Sequence, residues 1–204
     1  MITLEVAIAL ALLVVAVAVA YFIFASFAFG AGFEPTPRRS VETMLRFAEV
    51  GPRDTVYDLG AGTGAIVFPA ARTYRARVIG VEVEPVRFAI LRIRRRFGPF
   101  PDRITLRWGN MFDLDFRDAT VVTTFLWPGA MARLRPKFES ELPFGARVVS
   151  HCHAIPGWTS ERYDPATDVY LYRWPDARAD SAASVPATDE PGTRRTRPQQ
   201  TPPG

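Results

Sequence analysis

The longest apolar stretch of the chain lies at its N-terminal end. Residues 6–30 are apolar throughout except for Ser26. About 20 apolar residues span the hydrocarbon core of a bilayer as a helix, so this stretch is long enough to cross with some tilt. A cleaved signal peptide would open with positive charge and carry a shorter apolar core, whereas the only charge here is Glu5. The pattern predicts an uncleaved transmembrane anchor over residues 1–30.

The basic residues around this stretch predict its orientation. Arg38 and Arg39 follow it closely, and no Lys or Arg precedes it. The positive-inside rule therefore places the N-terminus outside the cell and the chain after residue 35 in the cytoplasm. We expect a single-pass protein of the cell membrane whose main domain is cytoplasmic and close to the bilayer.

Beyond the anchor, helical and strand patterns alternate. Val41, Leu45 and Ala48 share one stripe of a helix that begins at Arg38, with Ser40 as its expected cap. The strand-like runs are Thr55–Tyr57, Val78–Glu82, Ile104–Trp108, Thr120–Thr124, Arg147–Ser150 and Asp168–Trp174. Helical patterns follow the first, second and fourth runs, which is typical of an α/β fold with helices on both faces of a mainly parallel sheet.

This alternation sets the expected domain limits at residues 31–174. From residue 175 to 204 the chain is rich in Ala, Ser, Thr, Pro and Arg without apolar periodicity, so we expect a disordered tail.

The helix that begins at Pro85 combines apolar residues with many arginines. Its expected buried stripe consists of Val86, Ala89, Ile90, Ile93 and Phe97. Arg87, Arg92, Arg94, Arg95 and Arg96 lie largely off that stripe. They form either a solvated face or a contact with anionic lipid headgroups, and the sequence leaves both open.

Composition and charge limit the possible partners and sites. A net charge of +4 is too small and too localised for a typical nucleic-acid binder, so no nucleic acid is expected. Cys152 is the only cysteine, which excludes an internal disulfide. His151 and His153 would share one face of a strand while Cys152 points away, so we expect no metal site.

The candidate chemistry begins at Asp58-Leu59-Gly60-Ala61-Gly62-Thr63-Gly64. A strand precedes this loop and a helical pattern follows, an arrangement that brings backbone amides close to a ligand. Its G-x-G-x-G spacing after an acidic residue differs from the usual dinucleotide spacing. Glu82 ends the next strand, about 20 residues later, where a carboxylate can hold ribose hydroxyls. The alternative is a turn whose glycines only let a helix pack on the sheet.

The loop resembles that of the class I S-adenosylmethionine-dependent methyltransferases. The resemblance implies a Rossmann-like sheet and S-adenosyl-L-methionine as cofactor. The cofactor-binding residues it implies are Asp58, Gly60, Ala61, Gly62, Thr63, Gly64, Glu82, Val83, Asn110 and Met111. Asn110 stands where that family usually has an aspartate that accepts a hydrogen bond from the adenine amino group, and its side-chain carbonyl can also accept.

A later block resembles a narrower group. Residues 134–150, which include Lys137-Phe138-Glu139-Ser140-Glu141-Leu142, and the following Ile155-Pro156-Gly157-Trp158 are similar to the membrane-anchored protein-lysine methyltransferases of the ATP synthase c-ring and the adenine nucleotide translocase. The resemblance covers roughly residues 33–174. It implies methylation of a lysine in a membrane protein, with a small ATP synthase ring subunit as leading candidate. Alternatives are a lipid or quinone-type substrate, or a non-catalytic scaffold.

The expected substrate side lies at the end of the buried β-branched run. Ligands of open α/β sheets bind outside the carboxyl ends of the strands, so Phe125, Trp127 and Pro128 are the expected lining of the substrate pocket. A desolvated aromatic pocket lowers the pKa of a lysine and so supplies the neutral amine. No Cys-His or Ser-His-Asp set has a plausible spacing, and the catalytic residue stays unidentified.

Overall fold

The structure, a computed structural model, describes residues 3–28 and 34–176. Most of the predicted disordered tail, residues 177–204, lies outside the described residues. The helices are α1 Leu4–Ala28, α2 Arg38–Phe47, α3 Val67–Arg72, α4 Pro85–Phe97 and α5 Pro128–Glu141. The strands are β1 Thr55–Leu59, β2 Arg77–Glu82, β3 Ile104–Trp108, β4 Val121–Thr124, β5 Arg147–His151, β6 Arg162–Asp164 and β7 Val169–Arg173. Short 3-10 turns cover Pro101–Arg103 and Met111–Asp113.

The strands form one seven-stranded sheet in the order β3-β2-β1-β4-β5-β7-β6. β1 to β5 are parallel, and β7 pairs antiparallel with both β5 and β6. All four residues of β4 are buried, as expected for a β-branched strand covered on both faces. The expected α/β fold is confirmed. The short strand β6 was not predicted from the sequence.

Helix α2 covers one face of the sheet, packing on β5 and β7. The predicted stripe is confirmed, since Val41, Leu45 and Ala48 are all buried. The predicted cap is wrong: α2 begins at Arg38, its N-cap is Pro37, and Ser40 lies within the first turn. The buried Ser40 hydroxyl donates instead to the Thr167 carbonyl, 3.2 Å away, and so ties α2 to the turn before β7.

Helix α5 covers the opposite face. Phe138 is fully buried there, between the rings of Phe116 and Trp158 at centroid distances of 5.2 and 6.2 Å. The aromatic cluster continues through Trp158 to Trp174, whose rings stack 5.3 Å apart. Part of the late sequence block thus forms the second hydrophobic core.

Helix α4 contradicts the predicted burial. It lies over the edge strands β2 and β3, and its only buried residue is Leu91. Val86, Ile90, Ile93 and Phe97 are exposed. The helix carries apolar residues on two sides, and the Leu91 side faces the sheet because Gly64 leaves room for it: a Cβ on Gly64 would lie 2.7 Å from Leu91 Cδ1.

Helix α1 contains the apolar stretch predicted as an anchor. Leu4–Tyr21 is the one described segment long and apolar enough to cross a membrane, with a mean hydropathy of 2.6. An N-terminal signal sequence would pass the same test of length and composition. The described side chains of α1 before Tyr21 are exposed. Tyr21 is half-buried, and its hydroxyl donates a hydrogen bond to the Glu84 carboxylate.

Candidate functional site

The residues singled out from the sequence lie in a row along the carboxyl edge of the parallel strands. The loop after β1, Asp58–Gly64, neighbours the segments after β2 and β3, and we call these three segments the cofactor end. Residues 125–128 after β4 and residues 151–153 at the end of β5 adjoin it on the other side, and we call these two segments the substrate end.

The glycine loop has a backbone that L side chains rarely adopt. Gly60, Gly62 and Gly64 have φ values of 75°, 55° and 93°. The amides of Gly60 and Ala61 both donate to the Val81 carbonyl, at 3.0 and 2.8 Å, which holds the loop against the end of β2. These positions need glycine for their conformation, and Gly64 needs it also for the space that Phe68 and Leu91 occupy.

Glu82 is buried and fixes the loop from below. Its Oε2 accepts from the Gly62 amide at 2.8 Å, and its Oε1 accepts from the Glu84 amide at 2.9 Å. A carboxylate offers about four lone-pair positions, so these two bonds leave capacity for further donors. The sequence suggested only a contact with the cofactor. The structure adds that Glu82 couples the glycine loop to the start of α4.

Asp58 is a buried carboxyl at the end of β1. Its Oδ1 accepts from the Thr123 hydroxyl at 2.9 Å. Burial raises the pKa of Asp58 to about 7, and the nearby Glu82 charge adds to the rise, while the Thr123 hydrogen bond opposes it. Such a group gains from a cation brought close to it, because a positive charge restores the ionised form.

The segment after β3 has a local structural role. Asn110 Oδ1 accepts from the Phe112 amide at 3.1 Å and caps the 3-10 turn, and Asn110 is exposed. Met111 is half-buried against the α5-side core. Val83, after β2, is exposed, and its carbonyl accepts from Trp108 Nε1 at 3.0 Å.

The described residues fit S-adenosyl-L-methionine at the cofactor end. The left-handed glycines leave the loop without side chains where a ligand would approach, and Asp58 has no cationic partner among the causes of its raised pKa. Within the described part of the chain, the buried Thr124 hydroxyl at the end of β4 has no hydrogen-bond partner. A polar, positively charged ligand matches both features.

At the substrate end, each predicted aromatic residue pairs with a histidine. The Phe125 ring lies 4.6 Å from the His151 ring, and the Trp127 ring stacks on His153 at 5.6 Å. Trp127 is 55% exposed. Pro128 is the first residue of α5. Sequence reasoning missed the two histidines as partners, since only the adjacency of β4 and β5 brings them together.

The His151-Cys152-His153 segment is a turn rather than a strand. β5 ends at His151, and Cys152 has a left-handed φ of 63°. Cys152 Sγ lies 3.4 Å from His151 Nε2, and burial raises the pKa of the thiol, which disfavours a thiolate. Across residues 3–28 and 34–176, no group of three or more His, Cys, Asp and Glu side chains could hold a metal ion.

The late sequence block builds a wall beside this end. Arg135 pairs with Glu139 at 2.8 Å and donates to the Pro156 carbonyl at 3.0 Å. Glu139 also accepts from Trp158 Nε1 at 3.0 Å. Gly157 lies against Arg135, since a Cβ there would come within 2.1 Å of its Nη1. The residues that carried the narrower resemblance therefore join α5 to the segment after β5.

Comparison with protein families agrees with this geometry. Residues 58–162 match the model of the ANTKMT methyltransferase domain. That range begins at Asp58 and includes the cofactor end, the substrate end and the late block.

Several curated proteins are similar to the chain. A protein-lysine N-methyltransferase of Saccharolobus islandicus (strain REY15A) is 39% identical over 149 residues, 69% of this chain and 91% of that protein. The adenine nucleotide translocase lysine N-methyltransferase of Mus musculus is 31% identical, over 59% of this chain and 52% of that protein. A Rattus norvegicus lysine N-methyltransferase named for the C-type subunit of ATP synthase is 28% identical, over 63% and 59%. The chain thus spans little more than half of these mammalian relatives.

A solved structure supports the fold and the cofactor. An RNA methyltransferase from Salinibacter ruber, in complex with S-adenosyl-L-homocysteine, superposes with a TM-score of 0.67 at 36% identity. The match covers 77% of this chain and all of that chain. The Rossmann-like methyltransferase fold expected from the sequence is confirmed.

Proposed function

Because the chain belongs to the ANTKMT methyltransferase-domain family of S-adenosylmethionine-dependent enzymes, we propose that α1 anchors it in a membrane and that it methylates a lysine of a membrane protein. The family and its named protein-lysine methyltransferases carry the reaction type. A small ring subunit of ATP synthase is the leading candidate substrate, as for the relative of Rattus norvegicus.

The observation that supports anchoring at the active site is the contact between Tyr21 and Glu84. Glu84 lies two residues beyond Glu82 and caps α4, so the described end of the apolar helix meets the cofactor end of the domain. An enzyme held in this way reaches amines at or near the bilayer surface. The proposed division is residues 1–30 as anchor, 31–174 as methyltransferase domain and 175–204 as tail.

At the cofactor end we assign roles to the residues already described. The glycine loop lets the backbone approach the methionyl part, and Asp58 pairs with its ammonium group, which the raised pKa favours. Glu82 accepts from the ribose hydroxyls with its remaining lone pairs. Asn110 faces the adenine amino group. The remaining loop and flanking positions, Ala61, Thr63, Val83 and Met111, complete the cofactor lining.

At the substrate end the protein has to deliver a neutral amine. S-adenosyl-L-methionine, when bound, supplies a methyl group that its sulfonium already activates. The lysine nitrogen forms the new N–C bond in line with the breaking C–S bond, whose electron pair stays on sulfur, and the amine proton passes to solvent. Phe125, Trp127 and Pro128 align the amine and exclude water, which lowers its pKa.

Other substrates predict different products. A lipid headgroup or quinone precursor would also suit a tethered enzyme, and the Salinibacter ruber relative is named as an RNA methyltransferase. A scaffold that only kept the fold would bind no cofactor. The family's lysine-specific members favour the amine, and the other classes become arms of the test.

The test uses membranes from cells that lack the enzyme. They are incubated with the full chain and methyl-labelled S-adenosyl-L-methionine, and samples are treated with protease or with ribonuclease before organic extraction. Protease treatment is needed because small proteolipids also enter organic solvent. We expect protease-sensitive label and, by mass spectrometry, a methylated lysine in one small membrane protein. Label that survives protease and migrates with lipid, or that ribonuclease releases, would contradict the proposal.

The topology has its own test. Protease added to intact cells should leave the methyltransferase domain whole, because the domain is expected on the cytoplasmic side. Digestion from outside would reverse the orientation. A mature chain that begins near residue 31 would show a cleaved signal in place of an anchor.

A further inference from the structure

The outer face of α4 is an exposed apolar row. Val86, Ile90, Ile93 and Phe97 follow one another at the three- and four-residue spacing that keeps side chains on one helix face. All four are exposed, and Phe97 is 83% exposed at the end of the row. Single apolar residues at a surface are ordinary, but a continuous row of this kind marks an interaction site.

Arginines flank this row on both sides. At about 3.6 residues per turn, Arg94 lies on one side of it, and Arg92 and Arg96 lie on the other. Arg92, Arg95, Arg96, Ile93 and Phe97 also line a hollow of about 540 Å³ that contains no carboxylate. In the described part of the chain, no Asp or Glu forms an ion pair with Arg92, Arg94, Arg95 or Arg96.

The composition of this face selects its partner. An apolar row bordered by arginines is the pattern of helices that lie in the interface of a bilayer, with arginine stems along the apolar part and guanidinium groups at anionic headgroups. A second copy packed face to face would place Arg92 and Arg96 against like charges, which disfavours a symmetric dimer. An anionic lipid surface satisfies both the row and its border.

The position of α4 agrees with that partner. Glu84 caps α4 by accepting from the Val86 and Arg87 amides at 2.8 and 2.7 Å, and the same carboxylate accepts from Tyr21 of α1. The described end of the apolar helix therefore meets the first turn of α4. If α1 spans a bilayer, the exposed row begins beside the point where the chain leaves it.

We propose that the outer face of α4 docks on the membrane surface, with Val86, Ile90, Ile93 and Phe97 in the headgroup–acyl boundary and the flanking arginines at anionic headgroups. This inference rests on the proposed anchoring by α1. Docking adds a second attachment, which fixes the orientation of the domain and holds the carboxyl edge of the sheet near the bilayer. A tether alone would leave that orientation free.

The test is site-specific photocrosslinking of the full chain in lipid nanodiscs. Phe97 is replaced by the photoreactive p-benzoyl-phenylalanine, and the discs contain phosphatidylcholine alone or a mixture with phosphatidylglycerol. The matched control carries the same replacement at Phe144, an 88% exposed phenylalanine in the turn between α5 and β5. We expect lipid adducts at position 97, at least about threefold more in the mixed discs, and few at position 144.

Charge variants sharpen this result. Arg92→Gln with Arg96→Gln should reduce the adduct yield in mixed discs to that in phosphatidylcholine alone, because the attraction to anionic lipid is lost. Arg53→Gln with Arg72→Gln removes the same charge from exposed positions elsewhere and should leave the yield unchanged.

The outcomes separate the docking from the anchor. A chain that does not stay with the disc in a carbonate wash overturns the anchor, and the docking with it. A chain that stays but gives no lipid adduct at position 97, or crosslinks there to a second copy or to the belt protein, overturns the docking alone. Equal yields at positions 97 and 144 would also overturn it.

Discussion

The cofactor end and the substrate end of the site are held by different contacts. At the cofactor end, buried carboxylates accept backbone and hydroxyl hydrogen bonds of 2.8–2.9 Å, and three glycines have left-handed φ values. At the substrate end, rings rest on rings: Phe125 on His151 and Trp127 on His153. Hydrogen bonds to buried charges fix one geometry, whereas ring contacts tolerate exchange of one apolar ring for another.

The difference suggests where specificity changes among relatives. Proteins named as a protein-lysine methyltransferase and as an RNA methyltransferase are 39% and 36% identical to this chain. All of them need the same cofactor, which a rigid end can hold. The adjustable contacts lie after β4 and β5, where we place the substrate.

The largest effect is expected from the rigid loop. Gly64→Ala combines a left-handed φ of 93° with overlap against Phe68 and Leu91, at 2.3 and 2.7 Å. We expect it to lower the free energy of unfolding by about 2–5 kcal/mol and to abolish cofactor binding. Gly145→Ala is the control, with a φ of 81° and open space around its Cβ. It should cost only about 1–2 kcal/mol in denaturant unfolding. Equal losses would show that the packing at Gly64 is unimportant.

The next effect concerns the carboxylate that supports the loop. Glu82→Ala removes the acceptor for the Gly62 and Glu84 amides and the proposed ribose contact. We expect calorimetry to show a loss of S-adenosyl-L-methionine affinity of about 100-fold. Glu84→Gln, at the neighbouring buried acid that caps α4, should weaken the fold but leave that affinity within about threefold. A Glu82→Ala chain with unchanged affinity would contradict the assignment.

Asp58 gives a smaller, pH-dependent effect. Its folded pKa of about 7 lies above the ordinary 3.8, so its contribution to the stability of the ligand-free chain is full below about pH 4 and lost as the pH rises through 7. Pairing with the ammonium group favours the ionised form, so affinity for S-adenosyl-L-methionine should rise about tenfold from pH 6 to pH 8.

Two variants check this dependence by calorimetry across pH. Asp58→Asn should bind weakly and without the tenfold rise. Thr123→Val removes the hydrogen bond that favours the charged form, so the rise should move to higher pH. An unchanged profile in Asp58→Asn would assign the titration to another group.

The smallest effect is expected at the adjustable end. His153→Phe keeps a ring for Trp127 to stack on, so kcat/KM for the methylated membrane protein should fall by less than about threefold. His153→Ala should lower it further by raising KM. If His153→Phe lost activity together with a change in the pH profile of kcat, the imidazole would be the proton acceptor and not a packing partner.

The sequence predicted the cofactor end better than the substrate end. The glycine loop, Glu82 and the strands are local patterns, and β1 to β5 lie within a few residues of their predicted places. The contacts of Phe125 and Trp127 with His151 and His153 depend on two distant strands lying side by side. Local periodicity carries no such information.

Helix α4 shows a second limit. Its apolar residues lie on two sides, and periodicity cannot tell which side meets the sheet. The space left by Gly64 decides it in favour of Leu91, so the predicted stripe faces outward. Ser40 is similar: a residue type suited to capping is used for a distant carbonyl in the turn before β7.

The most direct test of this division of the site is a crossed measurement on Glu82→Ala and Trp127→Ala. Calorimetry gives the S-adenosyl-L-methionine Kd of each variant, and methyl transfer to membranes from cells that lack the enzyme gives KM and kcat. We expect Trp127→Ala to leave Kd within about twofold while KM rises about tenfold, because the lost ring contacts the amine substrate only. Glu82→Ala should weaken Kd about 100-fold. A Trp127→Ala chain that loses cofactor affinity as strongly as Glu82→Ala, or that transfers methyl groups with unchanged KM, would contradict the account.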